Sequence, residues 1–232
     1  MNEHISSRFN QELEQVRSDV MLMGGLVEQQ LQNVLAALTN MGSDELSNII
    51  DRDHEINELE KSIDASCQTI LIRRQPTASD LRFVMTVIRV IVDLERIGDE
   101  VKKMALIAHD LLPNSRLNKA DLYNTTRMGN ITLNMVRHSL DAFARLDSDA
   151  VISLAETDKL LDVDYRNQLR TLITYMMEDP RNIGISIDII FMNKSVERIG
   201  DHAENIAEHV VYLTKGLDIR HTPLEKIKAG LN

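Results

Sequence analysis

The pentapeptide Glu-Arg-Ile-Gly-Asp occurs twice in the chain, as ERIGD at 95–99 and as ERIGD at 197–201, and the two copies lie 102 positions apart. Identical residues continue towards the N-terminus of each copy at a spacing of 105. The matched pairs include Met23 and Met128, Leu35 and Leu140, and Asp53 and Asp158. A repeat of this length spans a whole supersecondary unit, so the sequence predicts two halves with one architecture.

Long amphipathic helices account for the pattern within each half. Apolar residues recur at every seventh position of the first segment, at Val20, Val27 and Val34, as in a helix packed along its length on other helices. Pro76 and Pro180 separate later helices, because proline interrupts a helix. The low aromatic content, 3%, argues against sandwiches and barrels, whose strands favour aromatic residues.

The predicted fold class is therefore all-α, with two three-helix bundles related by an internal repeat. The expected division places the first bundle at residues 1–113, the second at residues 118–217 and a C-terminal tail at residues 218–232. A short helical stretch is possible within the tail, from Leu224 to Ala229.

Charge and cysteine content exclude several classes of protein. The net charge of −10 argues against a nucleic-acid-binding surface, which is basic as a rule. Cys67 is the single cysteine, so no internal disulfide can form and a reducing compartment is expected. The N-terminal segment is polar, and no apolar run reaches the roughly 20 residues that cross a membrane. We expect a cytoplasmic protein without a transmembrane segment.

Acidic residues interrupt apolar lines on four of the predicted helices. On the third helix, Ile88 and Val92 are followed in the same line by Glu95 and Asp99, and the sixth helix repeats this change. These lines are expected to face the core. The acids of the other lines are Asp53, Glu60 and Asp64 on the second helix, Asp158 and Asp162 on the fifth, and Glu197, Asp201, Glu204 and Glu208 on the sixth.

Two such acid pairs from neighbouring helices would present several oxygen ligands to a hard or borderline cation. Gly98 and Gly200 lie among them and would let a neighbouring backbone approach. Two other interpretations stay open: the acids are solvated surface, or Arg96 and Arg198 pair with them and fix the register of the bundle. The Glu-x-x-His motif of di-iron proteins is absent from these helices, which argues against ferritin-like redox chemistry.

His202 and His209 lie beside the acidic line of the sixth helix and are expected at the surface rather than as ligands. Cys67 is expected to be a small buried residue. No glycine-rich phosphate loop and no nucleophile elbow is present, so the sequence favours a protein that is not an enzyme. The alternative is a carboxylate-metal enzyme on a helical bundle, such as a hydrolase, which would need a general base or an open coordination position beside the metal.

Several long strings resemble the bacterial PhoU family, which regulates phosphate uptake. They are MGGLVEQQL at 23–31, RQPTASDLR at 74–82, DLERIGD at 93–99, DAFARLD at 141–147, TYMMEDPR at 174–181 and SVERIGD at 195–201. The resemblance covers nearly the whole length. It implies two three-helix bundles, often assembled as a homodimer.

The resemblance also implies metal sites, at an acid followed after three residues by a second acid on the second and third helix of each bundle. Carried over, the motif falls on Asp53, Asn57, Glu95, Asp99, Asp158, Asp162, Glu197 and Asp201. The implied ions are Mg, Mn, Zn or Fe. Asn57 departs from the motif because it is an amide. Lys102 also replaces the acid that Glu204 supplies in the second half, so the second site is expected to bind a cation better.

The function implied by the resemblance is that of a cytosolic regulatory adaptor in phosphate homeostasis. Such an adaptor links the ATPase subunit of the phosphate-specific ABC transporter to the phosphate-sensing histidine kinase. It is a negative regulator of the phosphate (Pho) regulon and of phosphate uptake.

Overall fold

Six long helices and one short helix follow one another in the computed structural model, which describes residues 2–42, 46–114, 117 and 119–231. They are α1 (Asn2–Asn40), α2 (Leu46–Arg74), α3 (Ala78–Leu111), α4 (Lys119–Arg145), α5 (Ala150–Glu178), α6 (Ile183–Lys215) and α7 (Leu224–Leu231). These described ranges contain no β-strand. The prediction of an all-α fold is confirmed.

The helices form two three-helix bundles, α1 with α2 and α3, and α4 with α5 and α6. Val20, Val27 and Val34 of the heptad line are fully buried in the first bundle. Cys67 is buried as well, and burial raises the pKa of its thiol to about 12. The predicted repeat is thus visible as two bundles built in the same order.

Glycines at equivalent positions bring α1 and α4 together across the two bundles. A Cβ atom on Gly24 would lie 2.5 Å from Cδ2 of Leu140, and a Cβ atom on Gly129 would clash with Cδ2 of Leu35. Gly24 and Gly129 are 105 positions apart, and so are Leu35 and Leu140, so the two contacts are equivalent in the repeat. The bundles are therefore related by a pseudo-twofold axis that passes between α1 and α4.

Helix α6 does not begin directly at Pro180. The chain forms a 3₁₀ turn at Pro180–Asn182 instead, and α6 begins at Ile183. The carboxylate of Asp179 accepts a hydrogen bond from the backbone N–H of Arg181 at 3.0 Å, so it caps the 3₁₀ turn.

The acidic lines of α3 and α6 do not begin as core stripes, contrary to expectation. Val92 is 44% exposed and Ile187 is 40% exposed, whereas Ile91, Leu94 and Ile97 are buried. The core of α3 lies one step around the helix from the predicted line, so the acids of that line lie at the edge of the core. None of the helices in the described part of the chain combines the length and apolar character needed to span a bilayer.

Candidate functional site

Helix α2 places Asp53 in the first bundle, where it is only 2% exposed. The ammonium of Lys102, on α3, donates a hydrogen bond to Oδ2 of Asp53 at 2.9 Å. This bond raises the pKa of Lys102. The amide of Asn57, one turn further along α2, donates a longer bond of 3.4 Å to the same oxygen. Asp53 is therefore neutralised by a cation that the chain itself supplies.

The other oxygen of Asp53 points towards Gly98, the glycine of the first ERIGD sequence. A Cβ atom on Gly98 would lie 3.9 Å from this Oδ1 and 3.1 Å from Cδ1 of Ile56. Oδ1 is buried and has no hydrogen-bond partner among the described residues. The missing side chain of Gly98 thus makes room for side chains of α2, and not for a neighbouring backbone as the sequence suggested.

Glu95 and Asp99 lie beside this group on α3, and both are half-buried. Burial, followed by the negative charge of Asp99, raises the pKa of Glu95. The charges of Glu60 and Asp53 also raise the pKa of Glu95. These two acids therefore lie near Glu95 and Asp99 in the first bundle.

The second bundle gathers more carboxylates at the equivalent place. Burial and the charges of Glu204 and Asp162 raise the pKa of Asp158 to about 7. A hydrogen bond between Asp158 and Glu204 adds to this rise, and burial raises the pKa of Glu204 as well. Burial and the charges of Glu197 and Asp158 raise the pKa of Asp201 to about 7. Burial and mutual repulsion thus both oppose the ionisation of these carboxylates.

Two cations lie beside this second group. Lys194 donates a hydrogen bond to Oε2 of Glu197, which is buried. Arg166 donates to Oδ2 of Asp162 at 3.3 Å, on the exposed side of α5. The packing around the second glycine matches that of the first bundle. A Cβ atom on Gly200 would lie 2.6 Å from Cδ2 of Leu161 and 3.3 Å from Oδ1 of Asp158. The structure therefore brings together the four predicted positions of the second bundle, and it adds Glu204.

The two groups differ in how well they fit a metal ion. In the second bundle the adjacent carboxylates of Asp158 and Glu204, with Asp162 and Asp201 near them, supply the oxygen ligands that a hard cation prefers. In the first bundle Lys102 already occupies Asp53, and Asn57 contributes an amide, so the residues present do not fit. Across the described ranges no three Asp, Glu, His or Cys side chains are already arranged as metal ligands.

A third polar cluster, which the sequence analysis missed, joins the two bundles. Asp93 of α3 is buried and accepts hydrogen bonds from Nδ1 of His202 at 2.8 Å and from Nε2 of His209 at 3.0 Å. Asn205 donates to Asp93 at 3.3 Å. Burial opposes ionisation of Asp93, but the hydrogen bonds from the two histidines lower its pKa. The expectation that both histidines lie at the surface is wrong for His209, which is buried, and His202 is half-buried.

The pseudo-twofold repeats this arrangement with other residues. Glu100 of α3 is buried and accepts hydrogen bonds from Ser195 at 2.7 Å, from Arg198 at 3.1 Å and from Lys103 at 2.7 Å. Arg198 therefore forms an ion pair, but with a residue outside the eight predicted positions. A sequence signal exists: with the spacing of 102, Asp93 matches Ser195 and Glu100 matches His202, so acids face donors in both halves.

The fold and the sites define a class of all-helical repeat proteins built from two three-helix bundles. In each bundle, acidic side chains from two helices cluster around a glycine. The model of the PhoU domain matches residues 20–108 and 125–210, which places one domain in each bundle. The chain belongs to the PhoU family.

Relatives match over nearly the whole chain. The phosphate-specific transport system accessory protein PhoU homolog of Pseudomonas putida is 45% identical, over 99% of this chain and 89% of that protein. The phosphate-specific transport system accessory protein PhoU of Escherichia coli K12 is 42% identical, over 99% of this chain and 96% of that protein. The crystal structure of PhoU from Pseudomonas aeruginosa superposes with a TM-score of 0.84 at 45% identity, over 90% of this chain and 100% of that one.

Proposed function

We propose that this protein is an accessory regulator of phosphate transport. The observation that carries the proposal is similarity along the full chain to proteins named as accessories of the phosphate-specific transport system, at 42% identity in Escherichia coli K12. In its finer form, the protein is a cytoplasmic adaptor that contacts the transporter's ATPase subunit and the phosphate-sensing histidine kinase. It acts as a negative regulator of the Pho regulon and of phosphate uptake, and it works as a homodimer.

The mode of action in this proposal is binding rather than catalysis. A carboxylate-metal hydrolase needs a general base beside its metal. The histidines nearest the acids of α6, His202 and His209, are both engaged with Asp93. These hydrogen bonds hold one ring nitrogen of each histidine at the contact between the two bundles, which favours the adaptor over the alternative of a metal-dependent enzyme.

Metal binding forms a second part of the proposal, and it is assigned to one bundle. Asp158, Asp162, Glu197 and Asp201 would hold a divalent or iron-type ion, with Glu204 beside them. The bound ion would supply positive charge to carboxylates that otherwise repel one another. Side chains must rotate to form the ligand set. The first bundle would not require an ion, since Lys102 already neutralises Asp53.

A reporter strain tests the function directly. The gene for this chain is deleted in its own host, and a phosphate-starvation promoter drives a reporter during growth in excess phosphate. We expect the reporter to be active in the deletion strain and silent after complementation with the unaltered chain. A reporter that stays silent in the deletion strain would show that this chain does not restrain the regulon.

A further inference from the structure

An open groove of about 440 Å³ lies where the two bundles meet, between α3 and α6. Leu106, Ile107 and Phe191 form its apolar surface. Its charged lining consists of Glu100, Lys103, Lys194 and Arg198. We refer to this feature as the α3/α6 groove.

Large apolar side chains are unusually exposed in the α3/α6 groove. Phe191 is 59% exposed and Leu106 is 45% exposed. The chain has four phenylalanines. Two of the others, Phe83 and Phe143, are buried and stacked, with their ring centroids 6.4 Å apart. Adjacent exposed apolar side chains with polar residues around them are typical of interaction sites.

The charge of the groove is opposite to that of the whole chain. Lys103 and Arg198 both bind the single buried carboxylate of Glu100, and Lys194 binds Glu197. Three cations thus face two carboxylates, in a chain whose net charge is −10. The side chains of Lys103 and Arg198 remain about half exposed. An acidic ligand would be attracted to this surface and repelled by most of the remaining surface.

The pseudo-twofold relates the groove to an equivalent surface at the other end of the α3–α6 contact. Phe191 corresponds to Arg89 and Leu106 to Glu208, each pair being 102 positions apart. Asp218, which follows α6, lies within electrostatic reach of both Arg89 and Glu208. Its neighbour Ile219 is buried. The segment after α6 therefore lies near this end of the contact, with the carboxylate of Asp218 bound by Arg220 of the same segment.

We propose that the α3/α6 groove binds a segment of a partner protein that presents an apolar side chain next to carboxylates. The apolar side chain packs on Phe191 and Leu106, and the carboxylates face Lys103, Lys194 and Arg198. This docking surface goes beyond the proposed function, which assigns partners but no surface to them.

A random peptide library displayed on phage and selected on the immobilised full-length protein supplies the probe. We expect enriched peptides to combine a large apolar residue with neighbouring Asp or Glu. The most enriched peptide is then labelled and its affinity for the protein is measured by fluorescence anisotropy. Phe191→Ala and Lys194→Glu should each weaken binding by about tenfold or more. Matched controls elsewhere are Tyr123→Ala, which truncates an aromatic residue that is 63% exposed, and Lys226→Glu on α7; both should leave the affinity unchanged.

Several outcomes would overturn the docking surface. They are enrichment of peptides without acids, binding that is indifferent to both groove variants, and the failure of any peptide to be enriched. Leu106→Ser gives a second apolar truncation should Phe191→Ala alter the far-UV spectrum. If Phe191→Ala instead converts a dimer into a monomer in sedimentation, the groove is an interface between copies and the proposal is wrong. The reporter strain is scored separately, so failure here leaves the regulatory role standing or falling on its own result.

Discussion

The ammonium of Lys102 donates to Oδ2 of Asp53 over 2.9 Å, whereas Glu204, at the corresponding place in the second bundle, is hydrogen-bonded with Asp158. A cation therefore faces the buried carboxylate in one repeat, and a second carboxylate faces it in the other. At this position a metal ion would have to displace an ammonium in the first bundle, whereas in the second it would meet two carboxylates. In the second group Lys194 and Arg166 bind the more peripheral acids, Glu197 and Asp162. The repeat has thus diverged into a neutralised group and an acid-rich group.

The first prediction is that divalent ions bind to the second bundle alone. Isothermal titration with Mn²⁺, Mg²⁺ and Zn²⁺ should give binding that Asp158→Ala weakens by about tenfold or more, because a ligand is lost. Asp53→Ala serves as the matched variant in the first bundle and should leave the affinity unchanged. Equal losses from the two variants would refute the asymmetry.

The second prediction is that two substitutions give the first bundle the metal site of the second. The double variant Asn57→Asp with Lys102→Glu replaces an amide and an ammonium by two carboxylates, as at Asp162 and Glu204. We expect a second equivalent of Mn²⁺ to bind in the titration, since oxygen ligands replace the internal cation. The single variant Lys102→Gln removes the ammonium without adding an acid, and it should not gain this site. An unchanged stoichiometry in the double variant would contradict the proposal that Lys102 is what excludes the ion.

Stability tests the importance of the ion pair itself. Lys102→Met leaves the carboxylate of Asp53 buried without its cation, and we expect the free energy of unfolding to fall by about 1–3 kcal/mol. Lys103→Met is the control, because Glu100 keeps its hydrogen bonds from Ser195 and Arg198. Urea denaturation of both variants measures the difference. If the two variants lose the same stability, the Lys102–Asp53 bond has no special role.

The acid-rich group should make the metal-free protein less stable as the pH rises. Burial and the neighbouring carboxylates of Glu204 and Asp162 raise the pKa of Asp158 to about 7, above the value of about 4 for aspartate in an unfolded chain. Between these values the folded state holds a proton that the unfolded state has released. The free energy of unfolding therefore falls as pH rises through this range, by about 1–3 kcal/mol, and then levels off.

Thermal unfolding with a chelator present, at about pH 5 and about pH 8, measures this effect. Asp158→Asn should reduce the difference between the two melting temperatures, and the variant should remain folded because an amide carries no charge to be repelled. Added Mn²⁺ should raise the melting temperature at the higher pH. A melting temperature of the chelated protein that rises with pH over this interval would contradict the assignment.

Sequence periodicity predicted the helices and the repeat well, but it placed the acidic lines of α3 and α6 incorrectly. Steps of three and four describe two adjacent lines on one helix, and the line through Val92 was chosen over the buried line through Ile91 and Leu94. Local spacing does not report which of two neighbouring lines meets another helix. The acidic lines already contained seven of the eight motif positions, and the family resemblance grouped them with Asn57. The bonds of Lys102 to Asp53 and of His209 to Asp93 needed the tertiary structure, because each joins residues far apart in sequence.

The last prediction concerns the contact between the bundles, where Asp93 accepts hydrogen bonds from His202 and His209. In Asp93→Asn the amide has one acceptor oxygen and an NH₂ group that faces a donor, so one buried histidine nitrogen loses its partner. We expect the free energy of unfolding to fall by about 1–3 kcal/mol near neutral pH. Ser195→Ala is the matched control, since the repeat places Ser195 at the position of Asp93 and Glu100 retains Lys103 and Arg198 as donors.

The contribution of Asp93 to stability should also depend on pH. Its hydrogen bonds lower the pKa of Asp93, so this contribution is present above the pKa of an unfolded aspartate and is lost as the pH falls through the lower pKa of the folded state. Urea denaturation of the wild type and of Asp93→Asn should therefore converge towards acid pH. Parallel curves with a constant difference down to acid pH would show that the ionised form of Asp93 is not what holds the bundles together.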